Sequence, residues 1–487
     1  MSFNPNLTYF VERLQGVSTN TFRLETQNKT TAKQNEIISF DMPSNAILNL
    51  RSLKVWCNAS CDAVASGGSA TAGARLPPID DLVERCEVSV GGIILSQGTN
   101  FQNVLNEAQK SLQDEYCDSV VGHPEYVRSK SYVNGLGGGA AALAGTANED
   151  YPANGNLSRF CIQKFHGFLS SADPKLLDTS IVADIRVRLY MASDNVLTTS
   201  AGVGLGEGAA ALPFEVGFAN PAGGTGAGKY VLTDLRATIE AIGLADQSYD
   251  QMIAAQMGQQ GFLEIPYKSY TSFQETHSGS SRFTVSTQSL DRVWVCWRKT
   301  AFNEQAAPIT VKGYKKGGGY IMGAIATGAN ATVDLGLPQY DVGGVLGTNS
   351  EKYKSQYFNF IAPSDVMRMQ LQLNGAYMPQ FAANLGELYG ITRNSLQGAR
   401  DAKEMSLDQY LNNYCVQCFR LNLPDSEYSR SISGLDTRSV NLQGIVRTEG
   451  ATVLPGGGAS PNLGINIFTE ETSCLRVGAG RAIEVIA

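Results

Sequence analysis

The stretch Cys86-Glu87-Val88-Ser89-Val90-Gly91-Gly92-Ile93-Ile94-Leu95 alternates apolar and polar residues, meets a Gly-Gly pair and resumes as an aliphatic run. Alternation at period two marks a strand with one buried face, so Cys86, Val88 and Val90 are expected to point inward. Gly91-Gly92 suits a tight hairpin that needs positive φ at both central residues. Asn103 to Gln113 follows, with Val104, Leu105, Ala108 and Leu112 on one face of a short amphipathic helix. The pattern then returns. Met369-Gln370-Leu371-Gln372-Leu373-Asn374-Gly375 is an alternating strand running into Asn-Gly, and a helix-compatible segment, Asn384 to Leu396, comes after it. Gly92 and Gly375 lie 283 residues apart (375 − 92), too far for a solenoid repeat and right for a whole domain present twice.

A second echo keeps the same order. Leu50-Arg51-Ser52-Leu53-Lys54-Val55-Trp56-Cys57 precedes the first hairpin, and Leu290-Asp291-Arg292-Val293-Trp294-Val295-Cys296-Trp297 precedes the second. Both are strand-like and carry Trp and Cys at similar places. In the second, Trp294, Val295, Cys296 and Trp297 are apolar on both strand faces. A strand covered on both sides belongs to a sheet that packs on a further body, either the other domain or another subunit.

Composition sets the outer limits. At 487 residues, 43% hydrophobic and 17% charged, the chain has ample material for two or three folded domains. Its 51 glycines cluster between short strand-like runs, which argues for all-β sandwiches or barrels. A net charge of −7 argues against a general nucleic-acid binder. The nine cysteines are scattered, several inside strand patterns (Cys57, Cys86, Cys296), and read as reduced core thiols of a protein assembled inside a cell. Met1 is followed by polar residues without an apolar run, and no uncharged stretch is long enough to span a bilayer, so a soluble chain without a signal peptide is expected.

In chain order, residues 1–30 are polar and read as an N-terminal arm. Strands are expected near Glu36 to Phe40, Ala46 to Asn58, Phe160 to Phe168, Ile185 to Tyr190 and Leu235 to Ala241. Gly/Ala-rich loops are expected at 62–76, 118–156 and 199–229. Leu244 to Gln260 places Tyr249, Met252, Ile253 and Met257 on one helical face, a connector between domains. In the second half, Phe283 to Val285 and Val293 to Trp297 read as strands, 312–319 and 328–347 as loops. Ser406-Leu407-Asp408-Gln409 reads as a capping box, and Ala482 to Ile486 as a last strand. Each half holds roughly eight strand candidates, the number of an antiparallel jelly roll. The division expected is an arm at 1–30, a first jelly roll at 31–245, a helical connector at 246–262 and a second jelly roll at 263–487.

Chemistry-bearing motifs are sparse. Gly223-Gly224-Thr225-Gly226-Ala227-Gly228-Lys229 meets part of a phosphate-binding loop. The next residue is Tyr230, where Mg²⁺ binding requires Ser or Thr, and an alternating strand rather than a helix follows. Cys415-Val416-Gln417-Cys418 is a lone C-x-x-C without a second pair, and Cys57 and Cys61 lie far from it in sequence, so core thiols are expected there rather than a metal site. His123, His166 and His277 sit in no catalytic context. Asp80-Asp81 and Glu470-Glu471 read as solvated carboxylates on strands, and Lys312, Lys315 and Lys316 as solvent-facing lysines in a Gly loop. Asn6, Asn28, Asn58, Asn156 and Asn330 open N-x-S/T sequons, weak as glycosylation signals without a secretory leader. No catalytic, cofactor-binding or metal residue is assigned, and no cofactor is expected.

Taken in order, these segments resemble the double jelly-roll major capsid proteins of polinton-like viruses, virophages and nucleocytoplasmic large DNA viruses. Val83 to Gly92 is similar to the family's first-domain strand ending in Gly-Gly, and Leu176-Leu177-Asp178 through Ile185-Arg186-Val187 to the segment before that domain's late strands. Ile239 to Leu244, the helix to Met257 and Phe262-Leu263-Glu264-Ile265 resemble the connector. Leu290 to Val295, Leu371 to Gly375, and Tyr414 to Leu423 with Ser433-Gly434-Leu435-Asp436 resemble successive second-domain elements. Ser289-Leu290-Asp291 stands where the large-virus form is His- and Asn-rich, which favours the polinton-like or virophage branch. The resemblance implies a homotrimeric, pseudo-hexagonal capsomer that tiles an icosahedral double-stranded DNA virus shell, with strands normal to the shell and Gly-rich loops outermost. It implies neighbouring capsomers, penton and minor or cement proteins as partners, no sequence-specific nucleic acid, and a place in the virion after assembly inside the host cell. Two rivals remain at this point: a nucleotide-binding enzyme using 223–229, and a carbohydrate-binding β-sandwich attachment protein of the fibre or lectin kind.

Overall fold

The structure, a computed structural model, describes residues 17–61, 64–66, 70–75, 77–95, 100–112, 159–173, 175–182, 184–193, 196, 198–200, 214–216, 230–244, 255, 258, 261–277, 279–299, 309–311, 315–316, 319–320, 356–358, 360, 362–363, 366–396, 410, 415–422, 434–438, 442–450 and 463–486. The hairpin at Gly91-Gly92 organises the first half. Its φ angles, 57° and 86°, lie in the left-handed region that a two-residue hairpin needs. Eight strands surround it: β1 (Val17–Glu25), β2 (Ile37–Asp41), β3 (Ile47–Cys61), β4 (Val83–Val90), β5 (Ile93–Ile94), β6 (Arg159–Ile162), β7 (Ile185–Met191) and β8 (Tyr230–Leu244). They form two antiparallel sheets of order β1-β8-β3-β6 and β2-β7-β4-β5. Cys86, Val88 and Val90 of β4 point inward as the alternation predicts, and Val187 of β7 lies between Val88 and Phe40.

The second half repeats this order strand for strand. β9 (Phe262–Thr276), β10 (Ser280–Val285), β11 (Leu290–Lys299), β12 (Arg368–Leu373), β13 (Ala376–Asn384), β14 (Val416–Arg420), β15 (Leu442–Glu449) and β16 (Leu463–Gly478) pair as β9-β16-β11-β14 and β10-β15-β12-β13. The order of a jelly roll is thus present twice. Asn374 and Gly375 turn the second hairpin at φ 47° and 87°. Helix α1 (Gln102–Leu112) begins ten residues after Gly92, and α2 (Leu385–Ser395) ten after Gly375. α2 is capped by Asn384, whose Oδ1 accepts from Glu387 N at 3.0 Å while Glu387 Oε2 accepts from Asn384 N at 2.8 Å.

Several expectations change. Val17–Glu25, inside the stretch read as an arm, is β1 and pairs along β8 from Leu244 to Arg236; its edge position leaves its polar residues in water and packs Leu24 on the core. Within the stretch read as a loop at 62–76, Val64–Ser66 and Ala70–Arg75 are strands that pair with each other, and Thr198–Ser200 joins them. The strand read through Phe168 ends at Ile162, and Phe168–Ser171 is a helical turn. Lys315–Lys316 pairs with Gly319–Tyr320 in a small hairpin rather than a plain loop.

β8 ends at Leu244 and β9 begins at Phe262, on either side of the expected connector; of 246–260, Ala255 and Gly258 are described, both helical. The capping box at 406–409, the Gly-rich loops at 118–156 and 328–347, and the glycine-lysine segment at 223–229 lie outside the described residues. No helix among the described residues is long and apolar enough to cross a membrane.

Candidate functional site at the joint of the two rolls

β11 is the element on which the two rolls meet. Val293, Val295 and Trp297 belong to the second roll's own core. Trp294 and Cys296, on the opposite face, join an apolar cluster continuous with the first roll's core, together with Tyr267, Val416, Cys418, Phe468 and Leu475. The further body inferred from a strand apolar on both faces is therefore the first roll. The first roll brings α1, the turn Phe168–Ser171 and residues near Leu95 to this surface.

Specific bonds fix the docking. Tyr267 OH donates to Leu95 O at 3.0 Å, and its ring meets Phe168 edge-on with centroids 5.4 Å apart. Lys268 N donates to Ser171 Oγ at 2.8 Å, Asp173 N to Pro266 O at 3.0 Å, and Asn100 N to Ser272 Oγ at 3.0 Å. His166 stacks edge-on against Tyr270. Arg298 is fully buried with its guanidinium 4.9 Å from the Phe101 ring centroid and 4.6 Å from that of Tyr357, one ring from each roll. Burial raises the phenols of Tyr267, Tyr270 and Tyr357 above their ordinary value, so all stay neutral and act as hydrogen-bonding hydrophobes.

Because the second roll packs over it, α1 is buried beyond its own roll's face. Val104, Leu105, Ala108 and Leu112 face inward as its periodicity predicts, yet Gln102, Asn103, Asn106 and Glu107 are buried as well. The carboxylate pairs read as solvated are in fact buried. Asp80 and Asp81 sit in a 3₁₀ turn, Ile79–Leu82, rather than a strand. Asp80 Oδ1 accepts from Gln163 N at 2.8 Å and Lys164 N at 3.1 Å, and Asp81 Oδ1 from Asn106 Nδ2 at 2.8 Å. Glu470 and Glu471 lie on a sheet covered on both faces. Glu470 accepts from Trp294 Nε1 at 3.4 Å and faces Arg292 at 3.6 Å; Glu471 accepts from Thr469 Oγ1 at 2.8 Å, and burial raises its carboxyl above the ordinary range.

A bulge shapes the same strand. Leu290 opposes Glu471 and Arg292 opposes Glu470, so Asp291 is the extra residue. Its side chain meets Lys268 Nζ at 2.5 Å and accepts from Ser289 Oγ at 2.8 Å, while its carbonyl accepts from Leu421 N at 2.8 Å. Gly434 passes so close that a Cβ there would lie 2.5 Å from Asp291 Oδ1 and 2.6 Å from Leu290 O. Of the sequence motif Ser433 to Asp436, the described residues Gly434 to Asp436 are thus the strap over this bulge, with Leu435 bridging Leu290.

The remaining sequence candidates are separated from one another. Cys415 and Cys418 are buried beside and on β14, and burial pushes the Cys418 thiol up. Tyr230, the residue after the glycine-lysine segment, opens β8, and its hydroxyl donates to Ala192 O. His277 contacts Thr448, and burial lowers its imidazole. Among the described residues no group of three or more His, Cys, Asp or Glu is placed to hold a metal.

The joint leaves its two counterparts open. α2, the counterpart of α1, buries Leu385, Leu388, Thr392 and Ser395 but exposes Gly386, Glu387, Gly390 and Asn394. The first roll's β1-β8-β3-β6 sheet, counterpart of the sheet that α1 covers, exposes Arg51, Lys54 and Glu240, with Trp56 half-buried and donating to Thr238 Oγ1 at 3.0 Å.

No family model and no curated protein matches the chain. Solved structures do. VP54 of the virus PBCV-1, as fitted into a reconstruction of the virophage Sputnik, is 11% identical with a TM-score of 0.56, covering 98% of both chains. The quasi-atomic model of the PBCV-1 virus capsid gives 10% identity and 0.56 over 98% of both chains. The Sputnik virophage structure gives 10% identity and 0.49, covering 97% of this chain and 88% of that one. At such identities the likeness is one of fold, and it spans both rolls: the chain is a double jelly roll.

Proposed function

We propose that this chain is the major capsid protein of an icosahedral double-stranded DNA virus, and that three copies form a pseudo-hexagonal capsomer. The observation that carries the reading is the joint. Within one chain, the helix side of the first roll covers the outer sheet face of the second. The equivalent helix side of the second roll and the equivalent sheet face of the first are open. A contact of this head-to-tail kind, repeated between copies, generates a ring when the rotation closes. Three chains supply the six rolls of such a ring.

The strand directions support an orientation. Successive antiparallel strands alternate ends, so the connections β3–β4, β5–β6, β7–β8 and their second-roll equivalents leave from the same end. The long insertions cluster there and would face outward, with the strands normal to the shell. Neighbouring capsomers, pentons and minor or cement proteins are the partners of this reading, and the virion its place. It assigns no catalysis.

Light scattering coupled to gel filtration tests it. The expected mass is that of three chains, and Trp56→Asp with Lys54→Glu on the open sheet face is expected to yield folded monomer. A wild-type monomer at every concentration tried, or a trimer indifferent to those substitutions, would sink the proposed ring contact.

A further inference from the structure

One pair of equivalent faces differs between the rolls. On the solvent side of β2-β7-β4-β5 the first roll carries Arg85, Arg186 and Arg188, each matched by a carboxylate. Arg186 Nε lies 2.7 Å from Asp41 Oδ1, and Arg85 Nη2 and Arg188 Nη1 lie 3.0 and 2.9 Å from the Glu87 oxygens. The second roll's β10-β15-β12-β13 face also carries three arginines, Arg282, Arg368 and Arg447, all exposed. Among the described residues none of them makes an ion pair. The reason sits at one duplicated position. Glu87 opposes Arg188, whereas its equivalent 283 residues on, Gln370, opposes Arg447. Arg447 turns to Tyr377 instead, donating to its hydroxyl at 3.2 Å. Glu449, opposite Arg368, is the carboxylate of this face among the described residues and does not close on it. Tyr377, against Arg447, is 37% exposed, and Phe381, four residues further along the same edge strand, is 55% exposed.

A solvated face needs neither unmatched arginines nor bare aromatics, and the sister sheet folds with its arginines neutralised. The cations are all arginine, whose planar fork suits carboxylates better than the point charge of lysine. Arginine with exposed Tyr and Phe is also the composition of protein-binding anchors. From this asymmetry we infer that the outer face of β10-β15-β12-β13 docks an acidic polypeptide segment of a different protein, its carboxylates on Arg282 and Arg447 and an apolar side chain on Phe381. A second copy of this chain fits poorly, because its first-roll face already holds Asp41 and Glu87 in ion pairs and its second-roll face would set the same three arginines against these. Nucleic acid fits poorly with a net charge of −7. The inference stands whether or not the chain forms a trimer.

The test uses the full chain and a labelled peptide of glutamates around a central leucine, with oligothymidylate as the rival anion, read by fluorescence anisotropy at low salt. Gln370→Glu restores the first roll's carboxylate and is expected to weaken peptide binding at least about tenfold, the scale of one lost charge-assisted contact, with the thermal midpoint unchanged or raised. Arg447→Gln is expected to weaken binding similarly. Absence of peptide binding by the wild type, equal binding by Gln370→Glu, or tighter binding of oligothymidylate than of the peptide would each overturn the inference.

Discussion

Tyr267 tests whether the two rolls form one cooperative unit. Its ring is buried at the joint, its hydroxyl serves Leu95 O in the first roll, and its edge contact is with Phe168. Tyr267→Phe removes the bond and leaves a buried carbonyl without its partner. A net hydrogen bond of about 1 kcal/mol plus part of a carbonyl desolvation cost gives a loss of about 1–3 kcal/mol. Tyr267→Ala removes the ring as well; an aromatic truncation of about 3–5 kcal/mol with an edge pair of about 1 kcal/mol places the loss near 4–6 kcal/mol. Urea unfolding followed by tryptophan fluorescence reads these losses. The wild type is expected to unfold in one transition and Tyr267→Ala in two, since an interface of this kind is what couples domains. Amide exchange gives the location: both variants should speed exchange in α1 and in Phe168–Ser171, which lie in the other roll. A Tyr267→Phe midpoint equal to the wild type, with first-roll exchange unmoved, would refute the claim that this contact holds the rolls together.

Other substitutions probe single features. A Cβ at Gly444 would run into the edge of the Phe283 ring, so Gly444→Ala is expected to cost about 1–3 kcal/mol by overpacking, with partial recovery by Phe283→Leu in the same chain, both read as thermal midpoints. Burial raises the Glu471 carboxyl, so between the ordinary carboxylate value and the raised one the native state holds a proton that the unfolded chain releases. Native stability should therefore fall as pH rises from the ordinary carboxylate value through the raised one and then level, and Glu471→Gln should flatten that slope in a pH series of melts. Burial holds Cys86 and Cys161 at about 12, so these thiols should resist a disulfide reagent at pH 8 until the protein unfolds; fast native labelling of either would contradict their placement.

What the sequence disclosed and what it withheld divide along one physical line. Strands with one buried and one wet face announce themselves, and β4, β7, β8 and β12 fall where their alternation placed them. β11 was legible for the opposite reason: two apolar faces require two bodies. β1 escaped notice because an edge strand that packs chiefly through Leu24 has too few apolar residues to show a period. The carboxylates of Asp81 and Asp80 are buried by partners such as Asn106 and Gln163, too distant in sequence for any local pattern to reveal. The polar residues on the far side of α1 misled similarly, since amphipathicity reports the roll a helix belongs to and not the second roll laid over it. Arg298 carried no signal, its cation being held by rings that meet only in the folded joint.

Duplication explains why the functional surfaces lie where the two halves disagree. Positions needed to fold a roll are held in both copies: the inward faces of β4 and β12, the two-residue turns, the helix ten residues on. A position whose duty is discharged in one copy is free in the other. Glu87 neutralises Arg188, while Gln370 releases Arg447 towards Tyr377 and the solvent. α1 is buried by its own chain, while α2 keeps an open side. Insertions follow the same logic, because a loop at a strand end lengthens at only logarithmic cost in closure entropy and leaves the register untouched. Phe214–Val216 from a first-roll insertion pairs with Ile309–Val311 from a second-roll insertion, so the rolls are tied at that end as well as along their flank. A unit braced at two separate places presents its open faces at a fixed angle, and a fixed angle is what a contact repeated between copies needs if it is to close.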